Sequence, residues 1–201
     1  GPTPVSSDNG PDVYYPSAAR VVLGPGTFAT VYGGNQNSNL TIGSTSFMMG
    51  QIYRATSSGL ETVGDVFEVV LQEQIPDSCC SDVDHTSVIG LGGSLTGFFL
   101  VAAEAEDYNN DYDTLKVLLF DARDVVSGAE SSPVLVDTLT IQDNNNDYNV
   151  PELTGFGQLP HALLVYEHAN PSSGDDDVFA QLIDISRTGL TLNGNRVAMD
   201  T

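Results

Sequence analysis

The strongest constraint on the fold is a pattern of short apolar runs that occurs three times along the chain. Each occurrence contains four runs of strand length, rich in Val, Leu, Ile, Phe and Thr and bounded by Gly, Asn, Asp or Pro. Arg54, Asp121 and Asp184 hold the same place in the three occurrences, 67 and then 63 residues apart. Helical periodicity is almost missing. The pattern predicts an all-β chain of three four-stranded antiparallel repeats.

The predicted strands follow the same order in each unit. They are residues 18–24, 27–34, 46–56 and 65–72 in the first unit, 86–93, 97–106, 114–123 and 133–142 in the second, and 151–157, 161–169, 177–186 and 195–201 in the third. We expect one all-β domain over residues 13–201, with units at about 13–75, 84–142 and 147–201. Residues 1–12 are polar and rich in Pro and Gly, which indicates a tail. This tail is either a flexible lead-in or a segment that docks onto a neighbouring copy.

The third unit resembles a known family of repeats. Its matching positions are Pro151, the runs 163–167 and 178–181, Asp184, Gly189, and the closing Asp200 and Thr201. Together they resemble the blades of tandem-repeat β-propellers in large bacterial secreted and surface proteins, with Tyr166 where those repeats usually have Trp. The resemblance implies β-propeller-like blades and a location outside the cell or on its surface, and it implies no reaction.

Three blades are fewer than a closed propeller needs, because known closed propellers have four or more. A chain of three such units is therefore a fragment, a subunit that associates with other copies, or a different packing of three sheets. An open blade edge is also a template for strand addition by a partner. The alternative fold is a two-sheet β-sandwich of about twelve strands, which would not require a repeat.

The charge of the chain excludes some partners. There are 27 acidic residues against 6 basic ones, a formal net charge of −21. Such a chain repels phosphate backbones, so we expect no nucleic-acid binding. No apolar run approaches the roughly 20 residues of a membrane span, so we expect no membrane insertion. The acidity suits calcium, high salt or a hydrated extracellular surface, or it serves solubility alone.

Alternating acidic and amide side chains predict candidate calcium loops, because calcium prefers oxygen ligands. The candidate ligands are Asp107, Asn109, Asp111 and Asp113 in residues 107–113, Asp143, Asn145, Asp147 and Asn149 in residues 143–149, and Asp175 and Asp177 in a third acidic run. These are not EF-hands, since Tyr112 and Tyr148 replace the glycine that makes the sharp turn. Turns in which Asp and Asn bond to the local backbone are the alternative interpretation.

The two longer loops are expected to occupy different structural places. Residues 107–113 join the second and third strands of the second unit, whereas residues 143–149 join the second unit to the third. This difference argues against two copies of one inherited metal site. The first loop is the better single candidate.

Two further motifs suit an exported protein. Cys79 and Cys80 are adjacent, and they form a vicinal disulfide, bridge to another copy, or remain a reduced pair. Asn39 begins an Asn-Leu-Thr sequon, a candidate glycosylation site if the source glycosylates.

Residues with catalytic potential lack an activating context. Glu104, Glu106 and Glu167 fall near strand ends and are interpreted as exposed acids. His85, His161 and His168 are interpreted as surface or capping histidines, with His161 and His168 on opposite faces of one strand. The sequence therefore favours a non-catalytic extracellular module for adhesion or assembly, with calcium as candidate cofactor and with other copies, surface proteins or glycans as partners. The alternative is a carbohydrate-binding or carbohydrate-active domain.

Overall fold

The described residues of the chain form three antiparallel sheets of four strands each. The structure is a computed structural model, and it describes residues 13–19, 26–36, 45–70, 83–107, 112–142, 147–170 and 175–199. Within each sheet the strands follow one another in chain order, so every neighbouring pair is consecutive in sequence. The all-β prediction is confirmed, and the chain forms three sheets rather than the two of a sandwich.

The strands have the following bounds. Sheet 1 contains β1 (Val13–Ala19), β2 (Thr27–Gln36), β3 (Thr45–Thr56) and β4 (Gly59–Val70). Sheet 2 contains β5 (Val83–Gly90), β6 (Phe98–Asp107), β7 (Tyr112–Asp121) and β8 (Val134–Ile141). Sheet 3 contains β9 (Asp147–Gly155), β10 (His161–Asn170), β11 (Asp175–Ser186) and β12 (Gly189–Ala198). A helix, α1 (Arg123–Ser127), joins β7 to β8.

Several local predictions were wrong. Strands β1 and β9 begin at Val13 and Asp147, not at residues 18 and 151. Strands β4 and β12 begin at Gly59 and Gly189, not at residues 65 and 195. Helix α1 was not predicted. It occupies the connection between the third and fourth strands, where sheets 1 and 3 have a tight turn.

Sheet 2 lies between the other two and buries both of its faces. Along β6, Phe99, Val101 and Ala103 pack in the cluster shared with sheet 1, and Phe98, Leu100 and Ala102 pack in the cluster shared with sheet 3. A strand buried on both faces needs apolar side chains at every position, which explains the unbroken apolar run from Phe98 to Ala103.

Corresponding strands of successive sheets lie beside one another. The first strands β1, β5 and β9 contact in that order, and the outer strand β8 contacts β12. Helix α1 contacts the outer strand β4. We call the end of the sheets where β2, β6 and β10 finish the acidic end, and the opposite end, where β3, β7 and β11 finish, the turn end.

Sheets 1 and 3 share a detailed internal structure. The buried Gln51 on β3 donates its amide to the carbonyls of Ile52, Val63 and Gly64. On β11, 130 residues later, the buried Gln181 donates in the same way to the carbonyls of Leu182, Asn193 and Gly194. In both cases a bulge in the fourth strand brings the carbonyls to the amide.

The tight turns of these two sheets also match. Thr56 accepts a hydrogen bond from the Ser58 N–H and donates to the Gly59 carbonyl. Ser186 makes the same pair of bonds with the Thr188 N–H and the Gly189 carbonyl. The hydroxyl stabilises each turn by replacing a backbone partner. The two sheets are therefore copies of one structural pattern at the level of single hydrogen bonds.

Candidate functional site

The candidate calcium loops flank strands that meet at the acidic end. Asp107 of β6 pairs with Tyr112 of β7, and Asn170 of β10 pairs with Asp175 of β11. Strand β9 begins at the same end, at Asp147. The predicted positions of the two long loops in the chain are confirmed, since residues 107–113 connect β6 to β7 and residues 143–149 lead from β8 into β9.

The ends of the two long loops contact each other. The Asp113 backbone N–H donates to Asp147 Oδ1 at 3.2 Å. The Asn149 amide, with its nitrogen toward Asp113, donates to Asp113 Oδ2 at 3.1 Å and to the Tyr148 carbonyl at 3.1 Å. The two loops hold different places in the chain, as expected, yet their described ends meet, because the packing of sheet 3 on sheet 2 brings the beginning of β9 beside the beginning of β7.

The structure places three further candidate ligands on strands β6 and β11. Asp107 and Asp175 lie at strand ends, and Asp177 lies on β11 opposite His168. The following candidates lie outside the described residues: Asn109, Asp111, Asp143 and Asn145, together with Cys79, Cys80 and Asn39. Among the side chains that the structure describes, no group of three or more His, Cys, Asp or Glu is arranged to hold a metal ion.

A first polar link joins sheet 2 to sheet 3. The Glu104 carboxylate accepts hydrogen bonds from His85 Nδ1 at 3.1 Å and from the Val150 backbone N–H at 3.2 Å. Only 12% of the Glu104 side chain is exposed, so its interpretation as an exposed acid was wrong. His85 and Val150 have positive φ angles of 34° and 47°, and each lies at a bulge of a first strand. The bulges turn these backbone segments toward the shared carboxylate.

A second polar link lies beside the first. Ser87 Oγ donates to Glu152 Oε2 at 3.0 Å and accepts the Leu153 backbone N–H at 3.0 Å. Ser87 is 5% exposed. Because its hydroxyl is saturated by these partners, Ser87 is held as a cross-link between β5 and β9. The two links hold the first strands of sheets 2 and 3 together next to the acidic end.

His168 lies inside an aromatic cluster, so its interpretation as a surface or capping residue was wrong. Its ring meets Tyr148 edge to face at 4.9 Å and Phe179 at 5.3 Å, and the residue is 6% exposed. Arg196 lies over the Phe179 ring at 4.4 Å and donates to the Tyr148 hydroxyl. These rings are packed inward, so they do not form a platform on which a sugar could stack.

Asp121 and Arg123 form the shortest ion pair of the described residues. Arg123 donates to both carboxylate oxygens, at 2.9 Å and 2.6 Å, and its backbone N–H donates to Oδ1 at 3.0 Å. The hydrogen bond from the Arg123 side chain is the main reason that the pKa of Asp121 lies below its usual value. The pair fixes the chain where β7 enters α1.

We expect this pair to make stability depend on acid pH. A carboxyl with a lowered folded-state pKa stabilises the protein above its unfolded pKa of about 4, and this stability is lost as the pH falls through the folded value. Replacement by Asp121→Asn should remove that part of the acid dependence. The effect at neutral pH should be under about 1 kcal/mol, because both side chains are partly exposed. Urea unfolding of both proteins from pH 7 to pH 3 measures it, and curves that stay parallel would contradict the assignment.

A groove of about 640 Å³ lies at the turn end between β4 and α1. Its lining includes Arg54, whose guanidinium donates to the Val126 carbonyl at 3.3 Å. Glu130 is the one carboxylate among the described residues that line the groove, and they include no pair of carboxylates for acid–base hydrolysis.

The chain matches no family model and no curated protein. Among its described residues, no helix is long and apolar enough to cross a membrane.

Proposed function

We propose that the chain is a non-catalytic module of an extracellular or cell-surface assembly, built from three propeller-like blades. The proposal explains the high acidity as the hydrated surface of an exported protein, and it agrees with the resemblance of the third unit to secreted blades. The module acts by presenting sheet faces and acidic loops to its neighbours.

The stacking of equivalent strands supports the propeller-like arrangement. In propellers, four-stranded antiparallel sheets stand around an axis and neighbouring blades bury each other's faces. Here the first strands β1, β5 and β9 lie side by side, as do the outer strands β8 and β12. Gln51 and Gln181 hold the same place in blades 1 and 3.

One observation carries the assembly function. The outer strand β8 is mostly half-buried because sheet 3 lies against it, whereas the equivalent strand β12 is exposed from Thr191 to Ala198. Its exposed positions include Leu192 and Val197, at 45% and 61% exposure, and Met199, directly after the strand, is 64% exposed. Large apolar side chains exposed along an outer strand are typical of an interaction surface.

The use of the polar residues supports a non-catalytic role. Glu104 and Glu152 each bond to groups on a neighbouring sheet, and the Ser87 hydroxyl is occupied on both sides. A catalytic carboxylate or nucleophile needs an open position beside a cavity that substrate can enter. These groups hold sheets together instead.

The test of the assembly function is the molar mass of the chain in solution. We expect the mass measured by light scattering to rise with protein concentration, and to rise further at molar sodium chloride, because salt screens the repulsion between copies of charge −21. A mass that stays at the 21.3 kDa of one chain at every concentration and salt level would overturn assembly with other copies of the chain.

Calcium is the proposed cofactor, and its proposed position is the contact between Asp113, Asp147 and Asn149. Rotation of the Asn149 amide by half a turn would place its oxygen beside Asp113 Oδ2 and the Tyr148 carbonyl. The Asn149 amide oxygen, Asp113 Oδ2 and the Tyr148 carbonyl oxygen would then face one point, and they would repel each other unless a cation lay between them. Calcium at this position would join the beginnings of β7 and β9.

Calcium is expected to raise the melting temperature of the chain, and a chelator to reverse the rise. Binding to the folded state alone stabilises it by about 2.7 kcal/mol at a hundredfold excess over Kd. Asp113→Ala should abolish the calcium-dependent rise, and Glu61→Ala, which removes an exposed acid of β4, should preserve it. Melting curves measured with calcium, with magnesium and with chelator decide the question. Equal curves would contradict calcium binding, and an equal rise in sodium chloride alone would indicate adaptation to high salt.

A further inference from the structure

The same type of contact occurs at both junctions between sheets. At the first junction the outer strand β4 is bonded to the connection that follows α1, because the Asp65 N–H donates to the Ser131 carbonyl at 2.6 Å. At the second junction Asp137 Oδ2 of the outer strand β8 accepts the Leu190 N–H at 2.7 Å. In each case a residue in, or directly after, the connection between the third and fourth strands of one sheet is hydrogen-bonded to the outer strand of the preceding sheet.

The second junction also buries an apolar side chain. Leu190, the second residue after the turn of sheet 3, is 6% exposed and belongs to the cluster between sheets 2 and 3. Leu139 of β8 packs against the same cluster. The turn thus contributes one buried leucine, and the outer strand contributes one apolar partner.

The contact has two surfaces, a turn with its leucine and an outer strand. Among the described residues, each surface also occurs a second time, exposed rather than covered. The turn of sheet 1 ends in Gly59 and Leu60, which correspond to Gly189 and Leu190. Leu60 is 45% exposed, although Leu190 in the same position is buried.

The exposed outer strand is β12 of sheet 3. Leu139 of β8 pairs with Val117, and the corresponding residue of β12 is Val197, which pairs with Ala180. Val197 is 61% exposed, whereas Leu139 is half-buried. A free turn at one end of the stack therefore matches a free outer strand at the other end.

We infer that the partner of this module is a second copy of the chain, bound head to tail, with the Thr56–Gly59 turn and Leu60 of one copy docked on β12 of the next at Val197. The inference rests on the proposed assembly function and names its surfaces. The contact between copies would repeat the junction between sheets 2 and 3, with β12 of one copy in the place of β8 and the sheet 1 turn of its neighbour in the place of the sheet 3 turn. Because the two surfaces differ, the contact is heterologous and extends into a ring or a filament.

Two charged substitutions test the contact from its two sides. Leu60→Asp places a charge on the turn, and Val197→Asp places the same charge on the outer strand. Each should weaken self-association by at least about tenfold, since an uncompensated charge would enter an apolar contact. Val134→Asp is the matched control: Val134 is 57% exposed on β8, a strand that carries neither of the two surfaces, and its substitution should leave the association unchanged. Unchanged melting temperatures show that all three variants fold.

Mixing the two variants separates a head-to-tail contact from other arrangements. The Leu60→Asp chain keeps a working β12, and the Val197→Asp chain keeps a working turn. Sedimentation velocity of each variant alone should give monomers, and the mixture should give a one-to-one dimer that grows no further. Association of either variant at wild-type strength, or a mixture that stays monomeric, would overturn the inference while the assembly function survives. A wild-type chain that never associates would remove both.

Discussion

Phe99→Ala is expected to lower the free energy of unfolding by about 3–5 kcal/mol. Phe99 lies on the central strand β6, is fully buried, and stacks on Phe120 at 5.1 Å with an angle of 11° between the rings. Phe67 of sheet 1 meets it at 6.1 Å. Removal of this ring leaves a cavity between sheets 1 and 2, and the surrounding strands cannot close it without moving a whole sheet.

Phe156→Ala is the control for that substitution. It removes the same side chain from a position that is 45% exposed, in the connection between β9 and β10. Its effect should stay within about 0.5 kcal/mol, because a surface side chain contributes little. Urea unfolding followed by circular dichroism measures both variants. A loss below 1 kcal/mol for Phe99→Ala would show that sheets 1 and 2 are not packed through this ring.

Gly64→Ala is expected to destabilise the chain by about 1–3 kcal/mol more than Gly194→Ala does. Both glycines lie in the shared bulge and have φ angles of 72°, so alanine strains the backbone equally at the two positions. A Cβ on Gly64 would overlap the carbonyl of Ser131, in the connection between α1 and β8, whereas a Cβ on Gly194 would meet no described atom within 4 Å. The difference between the two variants therefore reports the junction between sheets 1 and 2.

Thermal unfolding of the two glycine variants gives this difference directly. The common cost of alanine at a positive φ, roughly 1–2 kcal/mol, cancels in the comparison. Equal losses for the two variants would place Ser131 farther from β4 than the Asp65 hydrogen bond requires. A greater loss for Gly194→Ala would mean that β12, rather than β4, is the covered strand.

The strands that could be predicted from the sequence are those whose apolar runs are unbroken. Strands β6 and β10 lie within about one residue of their predicted bounds, because each contains an unbroken apolar run, residues 98–103 and 162–166. Strand β12 was predicted to begin too late in the chain, because Gly189, Asn193 and Gly194 are residue types that predict turns when only the sequence is known. In the structure Gly194 is inside the strand, at a bulge whose positive φ only glycine accepts easily.

The beginning of β9 was missed for a related reason. Asp147, Tyr148 and Asn149 have the composition of a loop, and yet Tyr148 is 2% exposed in the core of sheet 3. The signal for His168, by contrast, was available. The alternation that places Leu164 and Tyr166 in the core continues to His168, two residues further along β10.

The contact between Asp113 and Asp147 could not be predicted from spacing. The two residues are 34 positions apart, and they meet because sheet 3 packs on sheet 2 with β9 beside β7. Local patterns describe single strands and turns, whereas this contact depends on how two complete sheets stack. The same holds for the bonds of Glu104 and Ser87 to β9.

The buried glutamines give the stack a direction. Gln181 lies on the face of sheet 3 that points toward sheet 2, and Leu118, in the same place on β7, points toward sheet 1. Gln51 lies on the face of sheet 1 that points away from sheet 2. Each sheet thus meets its predecessor with one kind of face and its successor with the other. A chain with this polarity can be lengthened by a whole four-stranded unit between Ile141 and Asp147 if the new unit meets sheet 2 with a face like that of sheet 3 and meets sheet 3 with a face like that of sheet 2.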